Sequence, residues 1–469
     1  MLHYFIMQSC TMPIFNISAL FAASARRRIV GLLLGWSLLC PPAVSMGAAP
    51  SDSGENAASL LKVVVLTRHG VRTPTQSQET LQSWTMHPWP VWPAWTPPGL
   101  ENAPSDARGR LTERGAQLVS ALWRQQRRQM NDAGLLPSAK CPNPADVFVY
   151  ADLDERTRAT ALALLDGLAP GCGLRYATAS STVRSDPLFH PVRAGTATLD
   201  ATDAVRRIQA TGGSDLAGPA RELRAPLELL ADIAGPLPPH VRRSAHLSDG
   251  ATLADLPTTL RVDADGRAVH VDGALGIAAG MAEIFLLEYA QWPDRPAGWG
   301  RVDAAVLERL MPLHVRVFNA VNRDPFVARA GGGALLTAMA AALDGTHPNP
   351  RVNAARLTVF VGHDTNIAQV GGLLGLQWKT PGYAPCQTPP AGALVLSLWR
   401  KGSGEYVRAH FLAQPPAVLH AENPDAEGVD MVEISVPRCT GAPETGSCSR
   451  QGFMEATRAA LTTPATERP

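Results

Sequence analysis

LKVVVLTRHGVRTPTQ, residues 61–76, begins as an apolar run and ends in Thr67, Arg68, His69, Gly70, Arg72 and Pro74. The apolar part reads as a buried strand. Ligands in open α/β sheets bind beyond the carboxyl ends of strands, and the polar cluster sits just past such an end. Two guanidiniums offer forked donors that match phosphate oxygens. An imidazole between them is placed to attack phosphorus, which splits one hard displacement into two easier ones. The arginines then neutralise charge on the group in transfer.

Two more strand ends repeat the pattern. DVFVYADLDERTRAT, residues 146–160, puts Arg156 and Arg158 where a second strand turns into a helix. LTVFVGHDTN, residues 357–366, puts His363 and Asp364 where a later strand ends. A carboxyl group there can protonate a leaving oxygen, then draw a proton from the water that attacks phosphohistidine. Taken singly each signal is weak. An Arg-His pair after a strand is usually a surface turn, Arg158 reads as a helix-end ion-pair partner, and an HD pair is commonly a cap. Complementary groups at three strand ends favour one shared crevice.

The surrounding pattern is that of an α/β protein. QSWTMHPWPVWPAWTPPGLENAPSDARG, residues 82–109, is rich in proline, carries Trp84, Trp89, Trp92 and Trp95, and reads as a loop rather than a helix. Its indoles can stack on a sugar or aromatic leaving group, but packing of a long loop is the favoured expectation. LTERGAQLVSALWRQQRRQM reads as an amphipathic helix with Leu118, Leu122 and Trp123 on one face and Thr112 as its cap. ERTRATALALLDGLAPG reads as a helix ended by Pro170 and Gly171.

From Asp186 the pattern turns helical, through LAGPARELRAPLELLADIAG, GALGIAAGMAEIFLLEYAQW and DAAVLERLMPLHVRVFNAV. TLRVDADGRAVHVDG reads as two short strands about a DG turn. Residues 186–325 are therefore expected to form a mostly helical cap or insert, and 60–185 with 326–469 the core. Glu283, within the insert, reads as an ordinary helix-face charge. GALVLSLWRK, EYVRAHFLA and MVEISVP are expected antiparallel strands. The fold class is α/β: a mixed sheet flanked by helices on both faces, with a smaller mostly helical cap.

RHGVRTP, DLDERTRAT and VGHDTNIA resemble the signatures of histidine acid phosphatases, within the wider phosphoglycerate-mutase-like superfamily. The similarity is closest to the bacterial periplasmic branch that includes phytases and glucose-1-phosphatases. It extends through WPVWP, LTERG, DPLFHPV, EIFLLEYAQ, GWGRV, TPPAGALVL and the Cys439–Cys448 loop, nearly all of the chain after Leu61. RHG alone suits mutases as well; RHGxRxP is the narrower phosphatase pattern.

The resemblance implies that His69 is the nucleophile and Asp364 the proton donor. Arg68, Arg72, Arg156 and His363 would hold the phosphate oxygens, and Thr73, Pro74, Thr75, Gln76 and Thr365 would line the substrate pocket. It implies a smaller α domain closing over the cleft, a small-molecule phosphate monoester as substrate, no metal or other cofactor, and an acidic optimum, since Asp364 must be protonated for the first step. Bacterial phytases usually carry lysine where Gln76 stands, and an extra basic residue after Arg329, where this chain continues Ala330, Gly331, Gly332, Gly333. A pocket for a highly phosphorylated inositol needs positive charge beyond the scissile phosphate. The glucose-1-phosphatase branch tends to replace Gly70 with asparagine, and this chain does not. A broad acid phosphatase of phytase ancestry is expected. A dedicated phytase, a glucose-1-phosphatase-like enzyme and a non-catalytic sugar-phosphate binder are the alternatives, the last disfavoured by the complete set of nucleophile, clamp and donor.

Hydrophobic residues make up 45% and charged residues 18% of the 469-residue chain, a globular composition. A net charge of +1 leaves no electrostatic footprint for nucleic acid and no polybasic membrane tether. Arg26, Arg27 and Arg28, the run IVGLLLGWSLLC and the small residues of Ala43–Ala49 read as a secretory leader over residues 1–49, which implies a periplasmic location. An uncleaved anchor and a lipid anchor on Cys40 are the alternatives, and no other segment reads as long and apolar enough to span a bilayer. Cys439 and Cys448 bracket a turn-rich loop that a disulfide can close, Cys141 and Cys172 flank a strand and helix and can meet, and Cys386 is left over. Reduced, buried cysteines are the alternative, disfavoured by export. No cysteine pair has zinc-ligand spacing with histidines, and a monomer is expected.

Overall fold

Alternate residues of the strand Ser59–Arg68 feed two different apolar cores. Val64 and Leu66 face one, Val63 and Val65 the other, as the two-residue period of a strand dictates. A strand so placed must be central, and the computed structural model puts it there. The structure describes residues 58–101, 108–138, 141–212, 221–425, 428–437, 439 and 446–462; the expected leader lies outside them.

Strands β1 (Ser59–Arg68), β2 (Val147–Ala151), β3 (Tyr176–Ala177), β4 (Thr259–Val262), β5 (Val269–Asp272), β6 (Leu357–Gly362), β7 (Ala393–Lys401), β8 (Gly404–Ala413), β9 (Asp430–Ile434) and β10 (Cys448–Ser449) form two sheets. The main sheet runs β10-β8-β7-β1-β6-β2-β3, with β9 also on β8. β1, β6, β2 and β3 are parallel; β7, β8, β9 and β10 join antiparallel. Helices Glu113–Asp132 and Glu155–Leu168 cover the Val63 face, supplying Leu122, Trp123, Leu164 and Leu165. Helices Pro325–Asp344, Asp364–Leu374 and Arg450–Thr462 cover the other with Leu335, Met339, Ile367 and Phe453. Each such buried apolar side chain contributes about 1.5–3 kcal/mol. Thr112 caps its helix as expected, accepting from the Gly115 amide at 3.0 Å.

Pro325–Asp344 corrects one expectation. With 20 residues and a mean hydropathy of 1.5, it is long and apolar enough by composition to cross a membrane. Here it is a core helix with Leu335, Leu336 and Met339 buried. Its AGGG stretch permits close packing on the helix that starts at Asp364, since a Cβ on Gly332 would lie 2.7 Å from Gln369 Cβ.

Between residues 186 and 325 lie helices Pro191–Ala194, Ala201–Gly212, Arg221–Ala234, Pro239–Ser244, Ala274–Gln291, Ala297–Gly300 and Ala304–Asn322, and the β4–β5 hairpin. They share an apolar cluster of their own, built on Leu227, Leu230, Phe285 and Leu310. Trp84 and Trp89 enter this cluster, so packing accounts for them. The segment is not loop throughout: Gln78–Trp84 is a helix, capped by Ser77, which accepts from the Thr80 amide. Seven helical residues beside a proline-rich run are too few to show in the sequence periodicity.

The disulfides Cys141–Cys172 and Cys439–Cys448 are formed, each with a Cα–Cα separation of 5.4 Å. Cys386 is free and buried.

Candidate active site

Strand register assembles the site. Arg68 pairs with Gly362 across β1–β6, and Ala151 with Val361 across β2–β6, so the three strands end level. The His69 amide then donates to Gly362 O at 3.0 Å and the Asp152 amide to Val361 O at 3.0 Å. His69, His363 and Asp152 are neighbours because the parallel pairing stops together. The ring centroids of His69 and His363 are 5.6 Å apart.

His69 is 2% exposed. Its Nδ1 lies 2.9 Å from Gly70 O, and a carbonyl only accepts, so Nδ1 carries the proton and Nε2 the free lone pair. Burial, followed by the charges of Arg156, Arg68 and Arg72, holds its pKa well below the ordinary histidine value. Burial and the arginines therefore favour the neutral imidazole. Gly70 is part of this geometry: a Cβ there would stand 2.9 Å from Val119 Cγ2 and 3.0 Å from Gly115 O. Helix Glu113–Asp132 packs too close for asparagine.

The arginines enclose the ring. Arg68 is fully buried and donates through Nη1 to Thr388 O at 2.5 Å. Arg72 donates through Nη1 to Thr73 O at 3.0 Å; burial lowers its pKa to about 10, so it remains cationic. Arg156 Nη2 meets Asp154 at 2.6 Å and lies 3.3 Å from His363 Nδ1. Among the described residues the buried Nε atoms of Arg68, Arg72 and Arg156 have no hydrogen-bond partner. Buried, unmatched guanidinium donors around a neutral imidazole suit an anion with several oxygens. Helices Glu155–Leu168 and Asp364–Leu374 both start at this point, adding the positive ends of their dipoles. The charge of Arg158 acts on Glu155 and Tyr176.

Asp364 lies 3.2 Å from Arg68 Nη2, and its Oδ1 accepts from the Thr365 amide at 2.9 Å. Burial pushes its pKa up, but Arg68 and Arg72 outweigh that and hold it at about 2. The pocket candidates stay near the clamp. Thr73 Oγ1 accepts from the Arg110 amide at 3.1 Å, and Pro74 O from the Gly109 amide at 2.9 Å. Thr75 is exposed, with its hydroxyl 3.4 Å from Gln76 Oε1.

Two acidic groups escape a motif-by-motif reading. Glu283 is not an ordinary helix-face charge. It is 6% exposed, forms an ion pair with Arg68, and lies 3.8 Å from Arg72 and 3.6 Å from His314. Its helix, Ala274–Gln291, is apolar on nearly every side, and a carboxylate so surrounded needs a cation. That surrounding apolar run was the usable signal. Asp152, four residues before Arg156, is 1% exposed. Its Oδ2 is 2.7 Å from His363 Nε2 and 2.9 Å from His190 Nε2. Burial pushes its pKa up, yet the two imidazole hydrogen bonds hold it well below the carboxylate range. An ionised carboxylate only accepts, so both Nε2 atoms are protonated and His363 turns Nδ1 toward Arg156. Asp152, Asp154, His190 and His363 also bring four potential metal-ligating atoms within 4.8 Å of one another. Here these atoms bond to each other and to Arg156, a cation that opposes a second one.

The comparisons with known proteins agree with this geometry. Residues 59–216 and 291–412 match the family model of the histidine phosphatase superfamily, branch 2. The chain is 34% identical to phytase AppA of Escherichia coli (strain K12), over 89% of this chain and 95% of that protein. It is 25% identical to glucose-1-phosphatase of Salmonella typhimurium, over 81% of this chain and 85% of that protein. The structure of Hafnia alvei phytase in complex with tartrate superposes with a TM-score of 0.77 at 32% identity, covering 89% of this chain and all of that one. Citrobacter braakii phytase gives 0.75 at 29%, covering 86% of this chain and 98% of that one. The chain belongs to branch 2 of the histidine phosphatase superfamily and is a histidine acid phosphatase.

Proposed function

We propose that the protein hydrolyses small phosphate monoesters through a phosphohistidine at His69. The observation that carries this is the convergence of Arg68, Arg72 and Arg156 on a buried, neutral imidazole whose Nε2 lone pair is free. Nε2 attacks phosphorus as the bond to the ester oxygen breaks. Asp364 gives its proton to that oxygen, and the alcohol departs. Water then attacks phosphorus, Asp364 takes its proton, the P–N bond breaks, and inorganic phosphate leaves.

A carboxyl held at about 2 is a poor donor in the free enzyme. A bound phosphate dianion opposes the guanidinium charge that depresses it, so the protonated form belongs to the substrate complex at acid pH. His363, with Nδ1 beside Arg156, binds a phosphate oxygen when protonated. The helical region 186–325 serves as the cap of the crevice, a role supported by Glu283 reaching Arg68 from it. The two disulfides support export to an oxidising compartment, the periplasm in this reading. The relatives named phytase and glucose-1-phosphatase bracket the substrate class. Gln76 and the glycines after Arg329 favour simple monoesters over phytate.

His69→Ala tests the mechanism. The variant is expected to lose all hydrolysis of an aryl phosphate at about pH 5, together with the acid-labile, base-stable phosphoenzyme that the wild type forms. Retained hydrolysis by the purified variant removes the mechanism.

A further inference from the structure

A cavity of about 410 Å³ opens beside the turn that carries the phosphate clamp. Trp89, Trp92, Trp95, Pro74, Pro90 and Pro93 dominate its lining. Trp92 and Trp95 are half-buried, so each keeps exposed ring surface that the buried Trp84 and Trp89 lack. Cavity and clamp share a wall. Thr73 and Pro74 line the cavity and follow directly on Arg72. Gly109, between the lining residues Arg108 and Arg110, is placed so that a Cβ on it would lie 3.4 Å from Arg156 Nη1.

Several polar groups of this wall are already engaged, and Gln76, Gln78, Thr96 and Arg108 complete its polar lining. Trp89 Nε1 donates to Leu81 O at 2.8 Å, Thr73 Oγ1 accepts from the Arg110 amide, and the Arg110 guanidinium faces Glu155 at 3.7 Å. A polyol, or an inositol sheathed in further phosphates, needs new hydrogen bonds and cations on every side. Indole and proline surfaces offer dispersion and offset stacking instead.

We infer that this cavity receives the alcohol side of the ester and selects phosphate monoesters whose alcohol carries a flat aromatic ring. The inference rests on the phosphatase reading above. The phosphate occupies the arginine clamp, and the ring lies among Trp92, Trp95 and the prolines.

The test compares 2-naphthylmethyl phosphate with glycerol 2-phosphate. Both release an alkyl alcohol, so their difference reports the cavity rather than leaving-group acidity. The wild type is expected to favour the naphthyl ester in kcat/KM by about tenfold or more. Trp95→Ala and, separately, Trp92→Ala should lower that preference by about tenfold, mainly through KM. Trp95→Phe should keep most of it. Continued turnover of glycerol 2-phosphate certifies that each variant is folded and that the phosphatase reading stands. A preference unmoved in both alanine variants overturns the inference. So does an equal loss on both substrates, which would make the indoles structural, or a wild type that prefers phytate to the naphthyl ester. No turnover of any ester by the wild type would instead overturn the phosphatase reading itself.

Discussion

Arg68 is met by two carboxylates from different parts of the chain. Asp364 stands at the end of β6, in the segment that a strand-end reading singles out. Glu283 arrives from the middle of Ala274–Gln291, 215 residues after Arg68. Asp364 starts a helix directly after His363. Glu283 is rooted in apolar packing and sits between Arg68, Arg72 and His314. The same guanidinium thus meets one carboxylate that the proposed reaction uses for proton transfer and one that the proposal treats as a fixed counter-charge. Contact with an arginine does not define a role; the element that carries the carboxylate does.

The largest expected effect separates them. Asp364→Asn should lower kcat on alkyl phosphates by about 10²–10⁴, and less on aryl esters, whose leaving group needs little protonation. Glu283→Gln keeps a hydrogen-bonding group at Arg68 but removes a negative charge from the clamp. It should lower kcat less than about tenfold while tightening inhibition by inorganic phosphate. Steady-state kinetics with both ester types decides the matter. Equal kcat losses in the two variants would collapse the distinction.

Asp152→Asn probes the strand-end side alone. His363 is faced by Asp152 and Asp154 from the β2 end, His190, Arg156 and, across the sheet, His69. Burial lowers its pKa, and the charge of Asp152 works against that by favouring the imidazolium. Removing the charge should lower the pKa further, so the basic limb of kcat/KM moves to lower pH, by about one unit. A limb that stays in place would show that Asp152 only fills space.

The smallest effect is on stability. Glu288 lies on the same helix as Glu283 but, among the described residues, receives only the Gly298 amide, at 2.8 Å. Burial pushes its pKa up from 4.5 to about 7. Between those values the folded state holds a proton that the unfolded chain has released, so stability falls as pH rises through the window. Glu288→Gln should flatten this slope, gaining up to about 3 kcal/mol at pH 8 relative to pH 4. Urea midpoints at the two pH values measure it. An unchanged slope would mean that Glu288 has water or a cation beside it in solution.

Much of the site was legible because its parts follow strands. Val63–Leu66, Val147–Val149 and Leu357–Val361 are apolar runs that end at Arg68, Asp152 and His363, and parallel pairing brings ends of similar strands level. Asp152 went unread because DLDERTR offers several acids and only folding chose which would meet two imidazoles. Trp92 and Trp95 look the same in sequence as Trp89, and only the tertiary contacts leave them half-buried at the cavity while Trp89 is buried.

The amino-acid sequence by itself determined the strands, the helices and the chemistry available at three strand ends. Burial periods of two and 3.6 residues are local properties, and an anion clamp needs its donors in the turns those periods leave. Tertiary structure alone decided that Glu283 would face Arg68, that His190 would share Asp152 with His363, and that three indoles would line one cavity with Thr73 and Pro74. Those pairings depend on helix packing across hundreds of residues, and no local window of sequence records how far apart two such surfaces come to rest.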